Sequence, residues 1–460
     1  MMIGSGVSRW TMVHFGCAIA ALLVAEVLLA TGYADPLTGL RASGMLICTH
    51  LVTIGWLSLL MLGALYQFVP VITNTPLYSQ RLPLYSLIVI VLGLTAMLAG
   101  FLALGGAGFL TTAWLPIGGS LVLTGFMLGA INLAATLWRV RPLPLPAGFV
   151  VFGLGFLLLT GLMGLGFAFT FALPRPPSFL GALTGTGLSL HIAAGLGGWF
   201  TLTVMGVSYR LLSMFMLAPD EPRQSTYAAL ILTVTGLVLL LAAGLGEIWA
   251  GISLGWSKPI GATLTGLGVL FYLADIVQFY RTRNRRHLEL NSLAAMVALS
   301  LFTLALVAGA LATAGALDRL AGAIGYLFVF GGLTGLGLSQ LYKIIPFLTW
   351  LEIFGSKLGK GPVPRVQDLV NERRAKPMFA LYFVTTMLAS GALAIGRTEL
   401  WRITALLHLA ATVLIAVELW RARHPDPNAK PTASRPPGTP SPLAKPSTLA
   451  APSFHPIQGD

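Results

Sequence analysis

Twelve long apolar runs separated by short polar breaks leave this chain few ways to fold. They cover approximately 11–33, 44–70, 82–104, 110–138, 147–173, 183–215, 225–250, 259–281, 291–315, 319–350, 377–396 and 399–421. A helix needs roughly 20 apolar residues to cross a bilayer, and these runs are near or above that length. In lipid the backbone must satisfy its own hydrogen bonds, so runs of this length read as helices. The predicted fold class is an all-α polytopic membrane protein of about twelve transmembrane helices, occupying 1–423. Charged residues make up only 9% of the 460, against about 25% in a soluble domain. A surface this poor in charge needs the lipid bilayer as solvent, and no separate soluble domain stands out. The segment 424–460 differs, with ten prolines in 37 residues. It reads as a disordered Pro/Ser/Ala-rich tail, dispensable rather than a partner tether.

The formal charge of +13 does not point to nucleic acid, because the bases sit in breaks between apolar runs, where they set orientation. With the N-terminus inside, the outer loops hold Arg41, Arg175, Lys258, Arg319, Arg397 and Arg402. The other 22 of the 28 bases fall inside, among them the Arg281–Arg286 cluster and the loop with Lys357, Lys360, Arg365, Arg373, Arg374 and Lys376. Both termini are therefore predicted to be cytoplasmic, in a bacterial-type inner membrane. Cys17 and Cys48 lie singly in apolar runs and suggest neither a disulfide framework nor a zinc site. The first run is long and lacks a small-residue cleavage pattern, so it reads as a span and not as a signal peptide.

A repeat runs through the even-numbered spans. The second reads His50-Leu-Val-Thr-Ile-Gly55-Trp56, then Gly63-Ala-Leu-Tyr66-Gln67. The sixth reads Gly198-Trp199, then Gly206-Val-Ser-Tyr209-Arg210, and the tenth ends in Tyr342-Lys343-Ile-Ile-Pro346. The tyrosines are 143 and 133 residues apart, and each interval contains four spans. The chain thus reads as three pseudo-symmetric four-helix units.

Twelve spans in three groups of four resemble the catalytic subunit I of haem–copper oxidases. The sixth span, His191-Ile-Ala-Ala-Gly195-Leu-Gly-Gly198-Trp199 through Gly206-Val-Ser-Tyr209, resembles the H-x-H-x-G-x-x-G-W-x(6)-G-x-x-Y pattern of the C-type oxidase and nitric-oxide reductase branch. The second span, with His50 sixteen residues before Tyr66, resembles that family's low-spin haem helix. The resemblance implies haem, respiratory electron transfer or nitric oxide and oxygen handling, and a partner respiratory subunit or electron donor. The chain departs from the family in its ligands. It has seven histidines, and His287, His424 and His455 lie in a loop and the tail. The second histidine of the sixth-span pattern is Ala193, and the matching places in the tenth span hold Tyr326 and Ile324. A divergent member lacking most metal ligands is implied, with too few imidazoles for a haem–copper binuclear centre, so oxidase-type catalysis does not follow from the fold.

His50, His191 and His408 lie six to nine residues into spans that run from outside to inside, about 9–14 Å deep at 1.5 Å per residue. They are the candidate haem ligands, with His50 first, His191 second and His408 third. The competing reading for each is a hydrogen bond to a neighbouring helix. A b-type haem is expected, since no C-x-x-C-H for covalent attachment occurs. Glu26, well inside the first span, is a possible proton relay or a partner for an outer-half histidine. His14 reads as interfacial or structural, and Asp275 and Glu418 as solvated pairs with Arg281 and Arg421. Glu247 falls near the outer mouth. Arg210 and Lys343 read as snorkelling toward headgroups. Two other functions remain open: a transporter or channel, and a cofactor-free accessory or assembly protein on the same scaffold.

Overall fold

The computed structural model describes residues 5–425 apart from 222, 313 and 359–362. Lys360, His455 and nearly all of the proline-rich tail lie outside the described residues. Twelve helices are long and apolar enough to cross a membrane, and among the described residues there are no strands. They are α1 (Ser5–Ala30), α2 (Ser43–Thr73), α3 (Leu82–Leu104), α4 (Trp114–Trp138), α5 (Leu145–Ala172) and α6 (Gly187–Met216). Then follow α7 (Gln224–Ala250), α8 (Ser257–Thr282), α9 (Leu290–Leu311), α10 (Arg319–Ile353), α11 (Glu372–Ala394) and α12 (Thr398–Arg423). The chain is a multi-pass membrane protein with lipid-facing helices. The sixth helix starts later than the sequence suggests. Residues 182–186 form a 3-10 turn and a break, where Gly181, Gly185 and Gly187 interrupt the apolar run.

Consecutive helices pair into hairpins. The closest packing joins α3 to α4, α7 to α8, and α11 to α12. Glycines let these pairs approach: at Gly118 a Cβ would stand 2.4 Å from the Met97 nitrogen, and at Gly268 it would stand 2.3 Å from the Thr233 hydroxyl. In the same way α1 packs on α2, α5 on α6, and α9 on α10, while α12 returns to α1. An even number of spans brings the start of α1 and the end of α12 to one face of the bundle, here called the terminal face.

Three helices, α2, α6 and α10, are with α4 the most buried part of the bundle. Each contains a widened π-helical stretch, at Leu51–Ser58, Ala193–Thr201 and Leu327–Thr334. The stretches end at Ser58, Thr201 and Thr334, which are 143 and 133 residues apart, the same intervals that separate Tyr66, Tyr209 and Tyr342. A π turn brings the carbonyl five residues back within reach of a hydroxyl. Ser58 Oγ donates to the Thr53 carbonyl at 2.8 Å, and Thr201 Oγ1 to that of Leu196 at 2.7 Å.

Near the terminal face, α4, α8 and α12 each direct one polar side chain toward the start of the preceding helix. Asn132 accepts from the Ser79 amide at 2.8 Å and donates to the Ser79 carbonyl at 3.0 Å. Asp275 accepts from Tyr209 at 2.9 Å, Ser225 at 2.6 Å and Thr226 at 3.0 Å. Glu418 meets Arg374 at 2.7 Å and Arg421 at 2.9 Å. The reading of Asp275 as a solvated partner of Arg281 is thereby corrected. Asp275 is 4% exposed and its oxygens are filled by three hydroxyls from α6 and the start of α7. Glu418 does pair with Arg421, but it is buried and also holds Arg374.

The close contact of α5 with α6 rests on Gly206, where a Cβ would fall 2.7 Å from the Pro146 carbonyl oxygen. Backbone cannot yield as a side chain can. Gly206→Leu should destabilise the protein by about 1–3 kcal/mol through overpacking, read as a lower unfolding temperature in detergent. An equally stable variant would contradict this helix contact.

Candidate functional site

The inner helices are joined by side-chain hydrogen bonds across the bundle. Trp56 Nε1 of α2 donates to Thr334 Oγ1 of α10 at 3.0 Å. Trp199 Nε1 of α6 donates to Ser58 Oγ of α2 at 3.1 Å. Both indoles are buried. The position 133 residues after Trp199 is Gly332, so α10 has no indole to offer α6, and Gly332 packs against Phe302 of α9 instead. One turn closer to the terminal face, the three helices surround an apolar cavity of about 70 Å³, lined by residues such as Leu57, Leu60, Val204, Val207, Leu333 and Leu336.

The sequence-predicted histidines fall on two sides of this inner trio. His50 and His191 share one side, the first against Phe101 of α3 and the second against Phe167 of α5. His50 Nδ1 lies 2.7 Å from the Leu46 carbonyl, which accepts its proton and leaves Nε2 free. Its ring lies 4.8 Å from that of Phe101 on α3. The imidazole of His191 stands edge-on to Phe167 of α5 at 5.6 Å, and its Nδ1 is buried without a partner. Gly164 makes room for it, since a Cβ there would come 3.2 Å from His191 Cε1.

His408 is on the other side, with α1, α10 and α11. Its Nδ1 is 3.5 Å from Glu26 Oε1. Its ring lies 4.5 Å from Tyr382, 5.6 Å from Phe330 and 5.8 Å from Tyr326. The three histidines therefore do not converge: His50 and His191 are neighbours, and His408 belongs with Glu26. Among the described residues no three His, Cys, Asp or Glu side chains gather at one point.

The remaining sequence-predicted residues are structural in their contacts. His14 is buried and not interfacial. It donates to the Trp10 carbonyl at 2.8 Å and stands edge-on to Tyr66 at 5.4 Å. Glu247 pairs with Lys258. Arg210 pairs with Asp220, and Lys343 Nζ reaches Glu289 at 2.5 Å.

Glu289, just before α9, was missed in the sequence, although acidic residues are favoured at the start of a helix. It gathers Lys343 of α10, Arg285, and the Gln367 amide at 2.8 Å, tying the segment after α10 to the start of α9. Trp350 Nε1 secures the same segment through the Pro364 carbonyl at 2.5 Å.

No protein-family model matches the chain, and neither does any curated protein.

The Glu289 network predicts a pH dependence. Burial by itself would raise this carboxyl, but the Lys343 ammonium, the Gln367 amide and the Arg285 guanidinium outweigh burial and hold it below the usual carboxylate value. A depressed folded value means that the network stabilises above the ordinary 4.5 and fades as pH falls through the folded value. Amide exchange over 363–371, corrected for intrinsic rates, should rise below that point. Glu289→Gln should remove the dependence, and a pH-independent wild type would refute it.

Proposed function

We propose that this chain is a membrane haem protein built as three four-helix repeats, related in architecture to subunit I of the haem–copper oxidases. A b-type haem held by His50 and His191 would serve respiratory electron transfer or the handling of nitric oxide or oxygen. The observation that carries this reading is the His50 imidazole, with its Nδ1–H held on a backbone carbonyl and its Nε2 left free beside His191. A metal-ligating histidine is oriented in this way by a hydrogen bond from its other ring nitrogen. The donor set on this side fits a haem iron: two imidazoles, a buried Nδ1 without a partner, and flanking phenyl rings. The side with His408 fits less well, because it offers a single imidazole hemmed in by aromatic rings. Bound haem would supply one-electron chemistry if both imidazoles ligate, and an open iron face for a small gas if one does. The polypeptide would hold the iron through His50 and His191 and exclude water with Phe101 and Phe167.

Two features support the repeat: the π stretches with the indole-to-hydroxyl bonds at their ends, and the trio Asn132, Asp275 and Glu418 at successive intervals of 143 residues. The excess of Lys and Arg supports a cytoplasmic terminal face in a bacterial-type inner membrane. A donor or partner subunit would then approach from either aqueous side.

A reduced-minus-oxidised spectrum of the purified protein, expressed with ample haem, tests the reading. A b-type band is expected, with copper well below one atom per chain. His50→Ala should abolish or shift the band. Absence of any haem band overturns the proposal in favour of a cofactor-free scaffold or a transporter.

A further inference from the structure

The knot around Glu26 and His408 has more buried polar atoms than the fold can satisfy. Both side chains are 1% exposed. Thr412 Oγ1 donates to Glu26 Oε1 at 3.0 Å, and the Tyr382 hydroxyl is taken by the Phe330 carbonyl at 2.7 Å. Four atoms remain buried without a partner: Glu26 Oε2, His408 Nε2, Tyr326 Oη and Trp401 Nε1. They belong to side chains in contact, since the Tyr326 ring lies 5.1 Å from Trp401 and 5.8 Å from His408. A dry orphan costs about 1–3 kcal/mol, so four in one place call for a further species. An internal water makes 2–4 hydrogen bonds, which matches this supply of donors and acceptors.

The charge balance is also incomplete. A bare carboxylate inside a membrane is costly unless it is paired. The helices packed around Glu26 present Cys48 from α2, Tyr326 from α10, Tyr382 from α11 and His408 from α12. None is a fixed cation. Arg402 lies over Gly32 at the far end of α1, six residues ahead of His408 along α12.

We propose that Glu26 and His408 form a site for one exchangeable proton, joined by internal water to Tyr326 and Trp401. In one arrangement the proton is on a Glu26 oxygen and Nδ1 of a neutral His408 accepts from it. In the other the Glu26 O–H bond breaks as an Nδ1–H bond forms, giving a carboxylate beside an imidazolium. No electron moves, and the water carries the proton to and from the aqueous phase. The ligand class is a proton with its water. The site does not depend on the haem reading, because neither His50 nor His191 takes part.

Infrared spectra of the full-length protein in lipid, recorded in H2O and D2O at neutral pH, test this. A protonated-carboxyl stretch that shifts in D2O is expected, and Glu26→Gln should remove it. If that variant does not fold, Thr412→Val serves instead, since losing the hydroxyl on Oε1 should shift the band. Absence of an exchangeable carboxyl band in the wild type, a band unchanged in Glu26→Gln, or one unchanged in Thr412→Val overturns the proposal. Because the readout is vibrational, it separates this site from haem binding: a carboxyl band without a haem spectrum sustains the proton site alone, and the reverse sustains the haem alone.

Discussion

Helices in lipid gain nothing from hiding apolar surface from one another, because lipid tails are as apolar as leucine. Association must come from close packing and from polar groups that have no water to turn to. Among the inner helices that role falls to two indole N–H groups. Trp56 ties α2 to α10, and Trp199 ties α6 to α2. The hydroxyls that receive them end the π stretches, so the widened turns and the cross-links form one feature. Glycines set the outer helices against this trio. A Cβ at Gly55 would meet Ala21 at 2.7 Å, and one at Gly198 would meet Phe156 at 2.4 Å.

The candidate site residues take their positions from this frame. A π stretch begins immediately after His50, and another begins two residues after His191. A π stretch is longer per turn than an α-helix and re-aims the side chains around it. On the other side of the trio, Tyr326 directly precedes the third π stretch and reaches the Glu26–His408 knot. One geometric device thus stands behind both polar groups, one with free imidazole nitrogens and one with an acid–imidazole pair. Where α10 has Gly332 instead of a third tryptophan, the ring of cross-links is open.

Much of the scaffold was legible in the sequence. Apolar length alone yields twelve spans, and the Gly-Trp and Tyr pattern marks the inner helices. What the sequence hid depended on which face each helix turns. Arg281 is close to Asp275 in the chain, yet Asp275 faces three hydroxyls on α6 and α7. Arg210 and Lys343 stand at helix ends as snorkelling residues do, and the sequence did not show which carboxylates they meet, Asp220 in the next loop and Glu289 ahead of α9. The three histidines could be ranked by depth and not by direction, so the separation of His408 from the other two was out of reach. The π stretches left a trace that could have been read: a hydroxyl two residues after each tryptophan, and Asn132, Asp275 and Glu418 at a constant interval.

The central claim is that the inner trio is held by specific indole-to-hydroxyl bonds. A double-mutant cycle on Trp56→Phe and Thr334→Val, measured by reversible unfolding in bicelles, addresses it most directly. The account predicts a coupling of about 0.6 kcal/mol, the usual size of a hydrogen bond between membrane helices, and none in a control cycle pairing Trp56 with Asn132. Strictly additive effects of Trp56→Phe and Thr334→Val would contradict it.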